Sequence, residues 1–352
     1  MKIRIITIHG IPNFGSVFQC YALCKHLENE GYTDVKVIDY NPEYFRASSL
    51  KSKIARLLNY GNYKRRTRKF RNFVENNIPL TNKAFCSVEQ LKAAKLDADV
   101  YIAGGDQLWN VYHACGRDDA YKLTWTSGKK ISYGTSLGQA DFPSDELKEL
   151  AEKIRDFSAV SVRESSSATL LARENVTATH CVDPVFLLNA ADYERFLPAV
   201  NEPKYLLVYL VTPSPLLNKA VKYLSEKYNL KVILCSGFSR KCCCDKFIKD
   251  AGPSEILSYV KNAEIVLSAS FHATAFSVIF KKQFFTILPG EHTNERITDF
   301  LSYACLSDRI VTEKSLSENV LDGNIDYSAP TKYGEKIAAS KEYLKKALSD
   351  TK

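Results

Sequence analysis

The segment Ile265-Val266-Leu267-Ser268-Ala269-Ser270-Phe271-His272 runs from an apolar stretch into small polar residues and sets one imidazole at the start of a helical pattern. There Ser270 or Ser268 can cap the helix, and the positive end of the helix dipole favours a bound anion. His272 is a candidate for proton transfer or phosphate binding, with a purely structural histidine as the competing reading. Arg163 directly follows the apolar run Val160–Val162. A guanidinium at a strand end suits bidentate contact to phosphate or carboxylate; an internal ion pair with Glu164 or Asp183 is the alternative.

Two more segments carry hydrogen-bonding chemistry. Gly104-Gly105-Asp106-Gln107-Leu108-Trp109-Asn110 joins two glycines, which permit close backbone approach, to three polar side chains suited to a sugar. Trp109 offers a stacking face on this reading and a core anchor on the other. His9 to Ser16 contains Asn13 and Gly15 and feeds a helix, either as an anion-binding loop or as a tight turn capped by Ser16. G-x-G-x-x-G is absent, so a dinucleotide is not indicated. Together these groups suit a small dianion and a polyhydroxylated partner. No Ser/His/Asp order, phosphate-binding P-loop or metal-ligand set is present, and no cofactor is expected.

These residues need a frame that brings strand ends together. Apolar runs at 3–8, 35–38, 100–103, 131–133, 160–162 and 179–182 alternate with helical patterns. A second series follows at 205–211, 231–235, 265–267 and 283–287. Val17, Cys20, Tyr21, Cys24 and Leu27 share a helix face that Gly31 ends. The alternation predicts an α/β protein with parallel sheets covered on both faces. The proline-bearing stretch Pro198–Pro203 marks the expected boundary. An N-terminal Rossmann-like domain over 1–198 (acceptor side) and a C-terminal one over 203–330 (donor side) are expected to face each other across a cleft. A charged C-terminal helix over 332–352 is expected to pack back on the first. Ligands in such sheets bind outside the carboxyl ends of the strands.

The bulk properties narrow the class. With 352 residues, two domains are expected. No apolar run approaches the ~18 residues that span a bilayer, and the Arg4-bearing N-terminus reads as a strand rather than a leader. A cytoplasmic protein with ten reduced cysteines is expected. The net charge of +8 comes from residues 51–73, which hold nine basic residues and no acid. One basic patch argues against a nucleic-acid binder. Ile54, Leu57 and Leu58 share one face there, and Phe70, Phe73 and Val74 another, so the segment reads as a peripheral anchor on an anionic membrane or as a solvated helix pair on the first domain.

The chain resembles the polysaccharide pyruvyl transferase family. The resemblance runs through Asn13–Leu23, Gly104–Asn110, Ser132–Gly138, Ser161–Glu164, Val182–Pro184, Ser270–Ser277 and Arg296 through Arg309. Two departures stand out: Ala273 replaces the glycine usual after the Phe-His pair, and Gly105 stands where serine is frequent. The resemblance implies a two-domain fold of the GT-B type. It also implies phosphoenolpyruvate as donor, with His272 and Arg163 near it and Arg296 as a further candidate. Asp106 is then the candidate base for the attacking sugar hydroxyl, and Asn13, Gly15, Gly104, Gly105, Gln107, Trp109, Asn110 and Ser270 are candidate binding residues. The expected activity is formation of a pyruvate ketal in cell-surface polysaccharide biosynthesis on a saccharide acceptor, which on the membrane reading of residues 51–73 would be lipid-diphosphate-linked. A glycosyltransferase using a nucleotide sugar, with Glu255 on the ribose, is the alternative.

Overall fold

The computed structural model of the chain describes residues 1–45, 57–210, 212–237, 240–290, 294–318, 321, 324–328 and 332–349. Lys51, Lys53, Ile54 and Arg56 of the basic segment lie outside them. By internal contacts the chain divides into two units. Unit 1 comprises 1–48, 72–188 and 332–352, and unit 2 comprises 49–71 and 189–331. The division therefore falls at 188/189, ahead of the Pro198–Pro203 stretch, and most of the basic segment is grouped with unit 2 rather than with the N-terminal half.

Unit 1 carries a five-stranded sheet of order β3-β2-β1-β4-β5. Its strands are β1 (Lys2–Ile6), β2 (Asp34–Tyr40), β3 (Leu80–Phe85), β4 (Val100–Gly104) and β5 (Lys129–Tyr133). Every pairing is parallel. Ile3, Ile5, Val100 and Ile102 are fully buried, as strands covered on both faces must be. A short parallel pair, β6 (Ser161–Val162) and β7 (Thr179–His180), adjoins β5 through single bridges. Helix α1 (Phe14–Asn29) follows β1 and is buried around most of its circumference. It ends where Gly31 takes φ +92, the left-handed stop that glycine supplies without a Cβ penalty. The C-terminal helix Lys332–Ser349 packs on this unit: the Val182 amide donates to Ser340 Oγ, and the Tyr343 hydroxyl donates to the Ser132 carbonyl.

Unit 2 repeats the topology as β10-β9-β8-β11-β12, again parallel throughout. The strands are β8 (Tyr205–Tyr209), β9 (Lys231–Cys235), β10 (Lys246–Ile248), β11 (Ile265–Ser268) and β12 (Gln283–Thr286). The basic segment forms helix α2 (Tyr60–Asn77), which unit 2 holds up to Arg71. Helix α3 (Pro253–Asn262) precedes β11, and α4 (Phe271–Ile279) follows it. The strands foreseen from sequence are present, several of them shortened. The two unforeseen ones, β3 and β10, each lie at one edge of their sheet, opposite the foreseen edges β5 and β12. Leu80–Phe85 buries only Phe85 and Lys246–Ile248 buries nothing fully, so neither carries an apolar signature.

Candidate functional site

Within unit 1, polar residues gather beyond the carboxyl ends of β1, β4, β6 and β7. Asn13, not Ser16, caps α1: its Oδ1 accepts from the amides of Gly15 and Ser16. Two amides that an anion would need are thus already taken. Ser16 sits in the first turn of α1 and donates its hydroxyl to Asp106 Oδ2. Buried Gln19 pins the loop from behind, donating to Thr7 Oγ1 at 2.8 Å and to the Ser16 carbonyl at 2.9 Å.

The Gly104–Asn110 segment is tied to the fold at nearly every residue. A Cβ on Gly104 would stand 2.5 Å from Leu23 Cδ2, and one on Gly105 would stand 1.8 Å from Gln19 Oε1. Gly105 also has φ +64, so both glycines serve the approach of α1. Trp109 is 0% exposed; its indole donates to the Tyr121 carbonyl and its ring meets Phe157 edge-on. It is the core anchor and presents no stacking face to a sugar. Asn110 donates to Gln107 Oε1 at 2.6 Å. Asp106 has a positive φ of 55° and keeps 8% exposure at the outer side of the cluster.

Arg163 lies at the bottom. Its Nη1 donates to Asp183 Oδ2, its Nε donates to Glu164 Oε1 at 3.3 Å, and its Nη2 is 3.9 Å from Asp106 Oδ1. Burial opposes its charge, but Asp183, Glu164 and Asp106 together raise the guanidinium above its ordinary pKa. Glu164 accepts further hydroxyls from Ser136 and Ser167, and Asp183 accepts the Val185 amide. Three carboxylates thus surround the one guanidinium. The internal ion pair, one of the two readings of Arg163, is present, and the guanidinium also approaches Asp106.

Within unit 2, β11 ends at Ser268, whose hydroxyl donates to the Tyr209 carbonyl at 2.8 Å and accepts the Ser270 amide at 2.9 Å. Ser270 caps α4, its Oγ accepting from the Ala273 amide. His272 lies in the first helical turn, buried, with its ring edge-on to Phe271 at 5.1 Å. Ala273 is fully buried. Arg296 stands half-buried in the first turn of the helix Glu295–Tyr303. Glu255 is already committed: it accepts the Gly252 amide that opens α3 and both its oxygens accept from Lys69 Nζ, at 2.7 and 2.8 Å. Arg65 Nε donates to Asp250 Oδ2 at 2.6 Å. Sequence reasoning missed these α2 pairings. Their only trace was an acid-free basic run matched by distant acids.

Among the described residues no cluster of histidine, cysteine and carboxylate suits a metal ion, and no helix is long and apolar enough to cross a membrane.

Comparison with solved structures places the fold. The chain is similar to the UDP-GlcNAc 2-epimerase of Methanocaldococcus jannaschii, with a TM-score of 0.60 and 15% identity over 99% of both chains. It is also similar to the UDP-N-acetylglucosamine 2-epimerase of Rickettsia bellii, with a TM-score of 0.55 and 11% identity over 99% of this chain and 96% of that one. At these identities the likeness is one of fold, and the fold is GT-B-like, with two Rossmann-like domains. No curated protein matches the chain. A model of the polysaccharide pyruvyl transferase family matches residues 13–290.

Proposed function

Because the chain belongs to the polysaccharide pyruvyl transferase family, we propose that it moves the pyruvyl group of phosphoenolpyruvate onto a pair of sugar hydroxyls as a cyclic ketal. The observation that carries this reading is His272, buried in the first turn of a helix that Ser270 caps, at the carboxyl end of a parallel strand. That position joins a proton-transfer group to a helix end that favours phosphate.

The donor's methylene carbon takes a proton, and the adjacent carbon gains oxocarbenium character. One sugar hydroxyl adds to that carbon, and phosphate leaves. The second hydroxyl then closes the ring, so the two hydroxyl protons balance the new methyl hydrogen and the departing phosphate. His272 is assigned proton transfer. Asp106, which accepts from Ser16 and is aligned by Arg163, is assigned as base toward a sugar hydroxyl. Donor binding belongs to unit 2 on this reading and acceptor recognition to unit 1. The test is acceptor-dependent release of phosphate from phosphoenolpyruvate, together with the mass of a lipid-linked oligosaccharide before and after reaction. Binding of a nucleotide sugar, without any of phosphoenolpyruvate, favours the glycosyltransferase reading. The engagement of Glu255 by Lys69 and Gly252 weighs against that reading.

The same reading includes peripheral association with an anionic membrane, where a lipid-diphosphate-linked acceptor resides. Leu57 and Leu58 are 75% and 80% exposed, and Lys64, Arg68 and Arg71 stand exposed at helical spacing along α2.

A further inference from the structure

Unit 2 has a topological switch point between β8 and β11, because the chain proceeds from β8 to β9 on one side and reaches β11 and β12 on the other. Ligands of doubly wound sheets bind at this crevice, beyond the carboxyl ends of the strands. Tyr209 and Ser268 end the two strands in register and are joined by the Ser268 hydroxyl. On the β11 side stand Ser270 and His272.

The β8 side receives a cation from an unexpected source. Helix α2 delivers Arg66 there, where it lines a narrow cavity with Tyr209, Leu210, Cys235, Ser236 and Gly237, all at or just past the ends of β8 and β9. Arg66 Nη1 lies 3.9 Å from where a Cβ on Gly237 would stand. Its guanidinium also sits over the Phe70 ring at 5.4 Å, which holds the side chain in place. Its neighbours Arg65 and Lys69 meet Asp250 and Glu255. The field of Arg66 reaches the strand ends. Burial pushes the Cys235 thiol up to about 12; Arg66 and Lys69 work against that rise, and Glu255 and Asp250 add to it. The cavity at its tip, about 20 Å³, admits roughly one water-sized group, the size of a carboxylate or phosphate oxygen. Leu210, 48% exposed, turns the chain there at φ +46, a conformation that costs a non-glycine residue about 1–3 kcal/mol and collects at ligand sites.

We infer that Arg66 is the guanidinium that binds an anionic group of the donor, whereas Arg163 is held by Asp183 and Glu164. The inference rests on the proposed donor, phosphoenolpyruvate, and adds to it a residue from the basic helix. Titration calorimetry of the full chain with phosphoenolpyruvate tests it. Loss of a charged hydrogen-bonding partner is expected to weaken binding about 10- to 100-fold in Arg66→Gln. Lys222→Gln, at an exposed cation elsewhere in unit 2, is expected to bind as the parent does. Parent protein that binds no phosphoenolpyruvate overturns the donor reading and this inference together. Parent binding that Arg66→Gln leaves unchanged overturns this inference alone. Should Arg66→Gln fail to fold, phenylglyoxal labelling of the parent decides. Phosphoenolpyruvate is expected to shield Arg66 and not Arg68, and equal labelling of Arg66 with and without it refutes the assignment.

Discussion

Arg163 donates to Asp183 with the two residues 5% and 1% exposed, so this ion pair is sealed inside unit 1 rather than offered to a ligand. Breaking a buried pair from one side leaves an uncompensated charge and costs about 3–5 kcal/mol. Arg163→Met is expected to lose that much stability in urea unfolding. A variant whose unfolding midpoint matches the parent's contradicts this account.

His272→Gln is expected to fold as the parent does and to lose about 10²–10⁴ in turnover, the range of a general acid or base. Acceptor-dependent phosphate release measures it. A variant with full activity withdraws the role given to this imidazole.

His26, in the last turn of α1, is held below the ordinary histidine pKa by burial and by Lys341 of the C-terminal helix, against an opposing pull from Glu30. The native state therefore binds fewer protons here than the unfolded chain. Stability is full above the unfolded value of about 6.5 and falls as pH drops below it. His26→Gln is expected to flatten that decline. Urea midpoints across the range from about pH 7.5 to about pH 5.5 would show it, and parallel slopes for both proteins speak against it.

Charge reversal at Lys64, Arg68 and Arg71 tests the membrane reading. Each cation near an anionic bilayer contributes about 1 kcal/mol, so the triple variant is expected to stay in the supernatant when phosphatidylglycerol vesicles are pelleted, while the parent pellets with them. Equal pelleting of both removes the membrane from the picture.

The interior strands were legible because a parallel strand covered on both faces must be almost wholly apolar, as Tyr205–Tyr209 is. Two edge strands were not, although β5 and β12 at the opposite edges were: β3 and β10 form through pairing with β2 and β9, and their own side chains announce little. His272 was placed correctly at its helix start because cap chemistry is local and Ser270 is visible beside it. Trp109 and Arg163 were ambiguous for the opposite reason. Whether an indole faces ligand or core, and whether a guanidinium meets substrate or Asp183, depends on residues far along the chain. The capping of α1 was misread by three residues, because the Asx geometry of Asn13 competes with an equally suitable Ser16. The division of the chain at 188/189 and the grouping of 49–71 with unit 2 had no compositional marker. Arg65 and Lys69 meet acids more than 180 positions away.

The hold of Ser340 on the Val182 amide and of Tyr343 on the Ser132 carbonyl bears on biosynthesis. As the ribosome elongates the chain, unit 2 has all its described residues by position 328, before either side chain exists. Unit 1, although it is begun first, must wait with that amide and carbonyl lacking these partners until the final helix emerges. A truncation ending just before Ser340 is therefore expected to be digested faster in unit 1 than the longer chain is.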